Sequence, residues 1–315
     1  MNANSNTPPK IALALAGGGP LGAIYEVGAM CALEESLNGL DFTKLDHYVG
    51  VSAGGFIVAA LANGISPREL CASFIENDSE PSETFDPSWL LTPAYGEFMR
   101  RGRMFPGLVL SVLWHLTLGR KSLMNALERL SPALPTGVFS NEAVHTELSR
   151  LFSRDGRTND FRKLKSKLTL VATNLDSGEA APFGRPGWDH VPISQAVQAS
   201  SALPGLFPPV QIGDQYYVDG ALKKTMHASV ALEDEVDLMI CLNPLVPFDA
   251  TAPQIAKVMQ RGIPEHKREI PRIVDGGLPS VLSQTFRSMI HSRMELGMKH
   301  YAHAYPKTDI ILIEP

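Results

Sequence analysis

The chain has 315 residues, of which 44% are hydrophobic and 19% are charged, as in an ordinary folded protein with a large core. Its formal net charge of −5 at pH 7 gives no basic footprint for nucleic-acid binding. The three cysteines, Cys31, Cys71 and Cys241, are scattered and odd in number, which argues against a disulfide framework and against a zinc site. We expect all three to be small buried side chains.

The N-terminal ten residues are polar, contain two prolines and lack the apolar core of a signal peptide. A frayed tail is therefore expected over 1–10. No stretch of the sequence reaches the ~20 apolar residues that a membrane-spanning helix needs. These features predict a cytoplasmic protein and leave two alternatives open: peripheral contact with a membrane and export by a route that needs no signal peptide.

The first predicted element is the continuous apolar run 11–15, which has the character of a buried parallel strand. It ends in three glycines, Gly17, Gly18 and Gly19. Pro20 suits the first turn of a helix, and the spacing of the apolar residues predicts that helix over 22–37. A strand, a glycine loop and a helix in this order are typical of the opening of a parallel, three-layer α/β fold.

The second strand leads directly to a serine. Aromatic and β-branched residues precede it, and residues 50–54 fit the G-x-S-x-G pattern of a nucleophile elbow around Ser52. The neighbours are small because the backbone is crowded on both sides of such a turn. A helix predicted over 56–63 would place Ser52 Oγ at its positive N-terminal end, which favours a developing oxyanion. The pattern indicates a nucleophile, with an ordinary strand-to-helix turn as the alternative.

The sequence changes character between 77 and 138, where we expect a helical cap or insertion in a single α/β domain that spans 11–315. The centre of this region, 105–119, is apolar, but its inner eleven residues rise only about 16 Å as a helix and cannot cross a bilayer. Basic residues flank it at Arg100 and Lys121. Two interpretations stay open: a buried cap helix, or a lid over 100–121 that contacts lipid head groups.

The remaining elements follow in order after this region. They are a strand over 167–173, a helix over 192–202, a hairpin formed by 207–212 and 215–218, a strand over 236–242, a helix over 280–301 and a final strand over 308–313. The hairpin carries Asp219 at its end.

The glycine loop has two competing interpretations. Residues 17–22 match G-x-G-x-x-G, the dinucleotide-binding pattern, but the acid expected about 20 residues later could only be Asp41 or Asp46, and neither ends a clear second strand. Bare backbone N–H groups can instead point at the oxygen of a tetrahedral intermediate. The sequence favours this oxyanion function over a dinucleotide site or a merely structural loop.

Four motifs in this order resemble the patatin-like phospholipases: the loop 17–22, the elbow 50–54, the segment 199–210 and the Asp-Gly-Ala that begins at Asp219. The resemblance implies a three-layer α/β/α sandwich with a mostly parallel central sheet. It also implies a lipid acyl hydrolase of the phospholipase A or carboxylesterase type with a Ser–Asp dyad. In that scheme Ser52 is the nucleophile and Asp219 the general base.

The resemblance further implies that the amides of the loop 17–19 hold the oxyanion, and Ala53 belongs to the same oxyanion and substrate-binding set. No metal and no organic cofactor is implied, because the chain supplies the base, the nucleophile and the oxyanion donors. The expected partner is a lipid or ester substrate. A free aspartate, with a pKa near ~3.9, is a poor base at neutral pH. The scheme therefore requires a hydrogen bond to Ser52 and partial desolvation to raise the pKa of Asp219.

Three alternatives stay open at this stage. Asp275 begins a literal Asp-Gly-Gly and rivals Asp219 as the base. An α/β-hydrolase-type esterase would use a Ser–acid–His triad, for which the late histidines are the candidates: His227, His291, His300 and His303. The third is a catalytically silent scaffold that binds lipid.

Overall fold

The structure is a computed structural model that describes residues 8–76, 92–117, 131–249 and 272–315. Eight strands lie in these ranges: β1 (Ile11–Leu15), β2 (His47–Gly50), β3 (Lys167–Asn174), β4 (Ala180–Phe183), β5 (Val210–Ile212), β6 (Gln215–Asp219), β7 (Leu238–Leu242) and β8 (Asp309–Ile313). They form one sheet in the order β5-β6-β3-β2-β1-β7-β8, with β4 paired to β3. The pairs among β3, β2, β1, β7 and β8 are parallel, whereas β4, β5 and β6 run antiparallel to their neighbours.

Helices cover both faces of this sheet. They are α1 (Gly19–Ser36), α2 (Ala53–Ala62), α3 (Pro67–Cys71), α4 (Tyr95–Thr117), α5 (Glu142–Phe152), α6 (Ile193–Ser200), α7 (Ser229–Leu232) and α8 (Gly277–Ala304). A π-helical turn, Ala72–Glu76, continues α3. Short 3₁₀ turns lie at Ser131–Ala133, Phe161–Lys163, Gly220–Leu222 and Ile273–Gly276.

The position of β1 in the centre of the sheet explains why its sequence is apolar throughout. Leu13 and Leu15 pack into one core cluster with residues of α1, α2, α5 and α6. Ala12 and Ala14 face the opposite cluster, which includes residues of α7 and α8. Because both faces of the strand are buried, every position is apolar and no period-2 alternation appears. The predicted three-layer α/β/α sandwich with a mostly parallel central sheet is confirmed.

The arrangement around β3 brings two distant parts of the chain together. Leu170 of β3 pairs with Gly50 of β2 and with Phe183 of β4. Ala172, two residues further along β3, pairs with Asp219 of β6 and with Ala181 of β4. Since β4 holds one edge of β3, β2 and β6 share the other edge. They run in opposite directions along it, so the end of β2 and the end of β6 meet.

Most predicted elements are present with shifts of a few residues at their ends. The helix predicted over 22–37 begins at Gly19, and Pro20 lies in its first turn, as the preference of proline for that position suggests. The hairpin predicted from 207 to 218 has only three residues in its first strand, because Pro208 and Pro209 cannot donate to the sheet. Four of the described strands and α-helices were not predicted: β4, α3, α5 and α7.

The insertion predicted over 77–138 is described only in part, since 77–91 and 118–130 lie outside the described residues, as do 1–7 of the predicted tail. Helix α4 begins at Tyr95, ten residues before the predicted start at 105. In this added part of the helix the Glu97 carboxylate binds Arg100 and Arg101 one turn later on the same helix face, which favours the helix. None of the described helices combines the length and the apolar character needed to cross a bilayer.

The cysteines differ partly from the expectation that all three are buried. Cys241 is buried in β7, which raises the pKa of its thiol to about 12. Cys31 on α1 and Cys71 on α3 are only partly buried, and their thiols contact each other. Desolvation and the neighbouring thiol raise the pKa of Cys31 to about 11, so it stays a neutral thiol at pH 7.

Candidate active site

The serine elbow is a strained turn held by two hydrogen bonds. Ser52 has φ 55° and ψ −125°, a conformation that side-chain-bearing residues rarely adopt, and it immediately precedes α2. Its backbone N–H donates to Ser200 Oγ at 2.9 Å, and the Ser200 hydroxyl donates to the Val171 carbonyl oxygen at 2.6 Å. Ser200 thereby ties the elbow to α6 and to β3. Sequence reasoning assigned it no such function.

The glycines of the elbow are required by close packing. A Cβ on Gly50 would overlap Val58, and a Cβ on Gly54 would overlap the carbonyl oxygen of Ala16. Gly54 N–H donates to that same carbonyl at 3.2 Å, which joins the elbow to the end of β1. The G-x-S-x-G pattern is therefore explained by the room that the backbone leaves on each side of Ser52.

Asp219 lies at the end of β6 and is 3% exposed. Its Oδ1 accepts a hydrogen bond from the Ala221 N–H at 2.9 Å, and the Ser52 side chain lies close enough to its carboxyl group to influence its pKa. Burial raises the pKa of Asp219 to about 6, and the interactions with Ser52 and Ala221 lower it. The expectation that a hydrogen bond to Ser52 raises this pKa is therefore wrong, because a donor to the carboxylate stabilises its ionised form. Asp219 is thus a stronger base than an exposed aspartate and is still mostly ionised at pH 7.

The glycine loop packs directly against the serine. A Cβ on Gly17 would lie 3.0 Å from Ser52 Cβ and 3.6 Å from Ser52 Oγ. Gly18 faces Pro244, whose Cγ would lie 2.7 Å from an added Cβ, and Gly19 has φ +61° as the first residue of α1. Ala53 is the first residue of α2. The N-termini of α1 and α2, whose first amides have no partner within the helix, therefore flank Ser52.

An apolar cavity of about 250 Å³ opens beside Ser52 and Asp219. The other described residues that line it are Gly19, Pro20, Ala23, Ala53, Phe56, Phe74, Phe139, Val144, Val197, Ser201, Leu203, Leu206 and Phe207. Apart from Ser52, Ser201 and Asp219, these side chains are apolar. A serine hydroxyl, a buried carboxyl group and the amides of helix N-termini beside such a cavity are the groups that acyl transfer on an apolar substrate requires.

The rival residues lie elsewhere in the described part of the chain. Asp275 is exposed and accepts a hydrogen bond from Arg272 N–H at 3.0 Å. His227 is buried with Nε2 3.2 Å from the Gly220 carbonyl oxygen, and burial lowers its pKa to about 4. His291 lies near Glu295 and Glu314, and His300 and His303 are exposed near the end of α8. No histidine occurs among the described residues that line the cavity.

A second buried polar cluster has the connectivity of a triad but not its accessibility. His47 Nε2 lies 3.0 Å from Thr169 Oγ1, and His47 Nδ1 lies 3.0 Å from Asp234 Oδ2. His47 and Thr169 are each 1% exposed, so no substrate can reach the hydroxyl. His47 is the first residue of β2, so the cluster lies at the end of that strand away from Ser52. Lys167 and Arg185 also bind Asp234. It joins the strands to the loop before β7.

Comparison with known proteins identifies the family of the chain. The profile of the Patatin-like phospholipase family matches residues 13–232. Probable lipid hydrolase 463L of Invertebrate iridescent virus 6 is 20% identical over 216 residues, which cover 69% of this chain and 61% of the viral protein. An uncharacterized NTE family protein of Mycobacterium tuberculosis strain H37Rv is 43% identical over 51 residues, 16% of this chain and 9% of that protein.

Among solved structures, VipD from Legionella pneumophila aligns with 81% of this chain and 53% of its own, at 20% identity and a TM-score of 0.42. ExoU of Pseudomonas aeruginosa, solved in complex with SpcU, aligns with 95% of this chain and 59% of its own, at 17% identity and a TM-score of 0.34. The chain thus spans less than two thirds of the length of each of these relatives. The family match itself runs from β1 to the end of α7 and includes the glycine loop, the elbow and Asp219, so the chain belongs to the patatin-like phospholipase family.

Proposed function

We propose that the protein hydrolyses carboxyl esters of lipids through an acyl-enzyme on Ser52, with Asp219 as the general base. The observation that carries this proposal is that the Ser52 side chain and the buried Asp219 carboxyl group interact and line the same apolar cavity. The viral relative is named a probable lipid hydrolase, which supports the substrate class. A dyad suffices because one carboxyl group can take up and release the proton in turn.

In the first half of the reaction, Asp219 accepts the proton of the Ser52 hydroxyl as Oγ attacks the ester carbonyl carbon. The amides of the loop 17–19 and of Ala53 stabilise the negative charge that develops on the carbonyl oxygen. When the tetrahedral intermediate collapses, protonated Asp219 gives its proton to the departing alcohol. In the second half, Asp219 accepts a proton from water as the water oxygen attacks the acyl carbonyl carbon. When this second intermediate collapses, Asp219 returns the proton to Ser52 Oγ and the fatty acid is released.

The pKa of Asp219 fits both steps. At about 6 it is closer to neutral pH than that of an ordinary aspartate, so the carboxylate is a better base while it remains largely ionised at pH 7. The conjugate acid is also weak enough to persist until the leaving group takes the proton. Burial thus gives Asp219 a pKa close to that of the histidine that serves as the base in a triad.

The rate should depend on pH accordingly. We expect kcat/KM for a non-ionisable ester to fall about tenfold for each pH unit below about 6, because protonated Asp219 cannot act as a base. A pH–rate profile between pH 4 and 8 measures this limb. The variant His227→Asn, in which asparagine tolerates the left-handed backbone at that position, should show the same limb. A flat profile down to pH 4 would contradict the proposed base.

Peripheral membrane contact through 100–121 is part of the same proposal. Within the described part of this range, α4 exposes Met104, Phe105 and Leu110. Arg100 is two-thirds exposed on the same helix, where it can reach anionic head groups. Of the two interpretations of this region, the lid that contacts lipid is the one that these exposed side chains favour.

A hydrolysis panel tests the function. We expect the protein to cleave short soluble esters and phospholipid vesicles, with Ser52→Ala as the inactive blank in both assays. Stimulation by vesicles supports an interfacial phospholipase, whereas rates confined to short esters reduce the function to that of a carboxylesterase. Equal turnover by wild type and Ser52→Ala would rule out Ser52 as the nucleophile. Failure of the folded wild type to react with a fluorophosphonate would favour a silent lipid-binding scaffold.

A further inference from the structure

The cavity beside Ser52 is bounded by an aromatic pair one helical turn beyond the serine. Phe56 follows Ser52 by four residues, so its side chain lies on the same side of α2, one turn further along the helix. Phe74 packs on Phe56 edge to face, with ring centroids 5.3 Å apart and an interplanar angle of 84°. Both rings line the cavity. A chain that leaves the carbonyl carbon at Ser52 and runs along α2 therefore meets this pair.

We propose that the cavity receives one acyl chain of medium length and that Phe74 sets the upper limit of that length. The inference rests on the proposed function and adds to it the size of the acyl group. It also assigns the cavity to the acyl chain, because apolar side chains dominate the described lining and leave a charged head group without partners.

The volume gives the expected length. A methylene group occupies nearly the volume of one water molecule, about 30 Å³ in the liquid. A cavity of about 250 Å³ therefore holds about eight methylene groups. Each methylene group that leaves water for such a site should raise kcat/KM about fourfold. This gain should end when the chain reaches the aromatic pair.

Phe74 is the better of the two rings to test, because it lies outside the elements that carry the proposed catalytic groups. Phe56 belongs to α2, which begins directly after Ser52, whereas Phe74 belongs to the π-helical turn Ala72–Glu76. A substitution at Phe74 therefore changes the cavity wall and leaves the elbow, Asp219 and the glycine loop intact.

The experiment measures kcat/KM for p-nitrophenyl esters from butyrate to palmitate. Wild type should be fastest near octanoate and decanoate and slower with longer chains. Phe74→Ala should move the maximum to chains longer by roughly two to four carbons, because truncation enlarges the cavity. Phe74→Trp should move it to shorter chains. Phe286→Ala removes the same ring from α8, where Phe286 is 41% exposed and is not among the cavity residues, and should leave the profile unchanged.

The outcomes separate this inference from the proposed function. Rates that keep rising to palmitate in wild type, or identical profiles for wild type, Phe74→Ala and Phe74→Trp, would overturn the limit set by Phe74 and leave the hydrolase intact. A folded wild type that cleaves none of the esters would overturn both. Opposite shifts for Phe74→Ala and Phe74→Trp support the inference even if one variant is destabilised, because the position of the maximum does not depend on the amount of folded protein.

Discussion

Replacement of Asp219 by asparagine is expected to lower kcat/KM by roughly 10³- to 10⁴-fold, at the upper end of what a general base contributes. Asparagine keeps the shape of the side chain and can still accept a hydrogen bond from the Ala221 N–H, but it cannot take the proton of Ser52. Single-turnover kinetics with an activated ester should show that acylation itself is slowed.

The same substitution should stabilise the protein at neutral pH. Because the folded pKa of Asp219 is about 6 and the ordinary value is 3.8, the native state binds more protons than the unfolded chain between those two pH values. The stability of the wild type therefore falls as pH rises through that window, by a total of about 3 kcal/mol. Asp219→Asn carries no such charge, so its Tm should exceed that of the wild type at pH 7 and the difference should shrink towards pH 4.

Asp275→Asn is the matched control, since it makes the same chemical change at an exposed aspartate outside the cavity. We expect its activity and Tm to equal those of the wild type. Normal activity in Asp219→Asn combined with loss in Asp275→Asn would transfer the function of the base to Asp275.

A methyl group on Gly17 is expected to have the second large effect. In Gly17→Ala the new Cβ would lie 3.0 Å from Ser52 Cβ, closer than nearly all such contacts, so either the loop or the nucleophile must shift. A shift that removes one oxyanion donor costs roughly 10²–10³ in kcat. Steady-state kinetics should therefore show a loss in kcat with a smaller change in KM.

Gly28→Ala provides the comparison within the same part of the chain. Gly28 lies in α1, and an added Cβ there meets nothing within 4 Å. This variant should keep full activity and gain a little stability, since alanine favours a helix interior by about 1 kcal/mol over glycine. If Gly17→Ala were as active as Gly28→Ala, the loop 17–19 would not hold the oxyanion.

Local pattern was enough to predict much of the candidate site. Each of its parts depends on local structure. The apolar run before Gly17 reflects a buried strand, the small residues around Ser52 reflect a crowded turn, and the hairpin that carries Asp219 reflects a tight connection. The direction of the Asp219 pKa shift also followed from the chemistry proposed for it, because a base that works at neutral pH has to be partly desolvated. These predictions needed no knowledge of distant contacts.

What the sequence did not predict depends on residues far apart in the chain. Ser200 supports the elbow through a hydrogen bond across 148 positions, and a serine at a helix end gives no sign of such a partner. The meeting of Ser52 and Asp219 depends on β2 and β6 sharing one edge of β3, which is a property of the sheet. The sequence did not predict the short strand β4 because it contains Pro182, and proline disfavours a strand. It did not predict the start of α4 at Tyr95 because residues in that part of the chain disfavour a helix.

The most direct test of the dyad is to trap the acyl-enzyme and to identify its residue by mass spectrometry. After brief reaction with an activated octanoyl ester, the wild type should carry one octanoyl group on Ser52. Ser52→Ala should carry none, Asp219→Asn should acylate much more slowly, and His227→Asn should acylate at the wild-type rate. Acylation of another residue, or loss of acylation in His227→Asn with an unchanged rate in Asp219→Asn, would contradict the Ser52–Asp219 dyad.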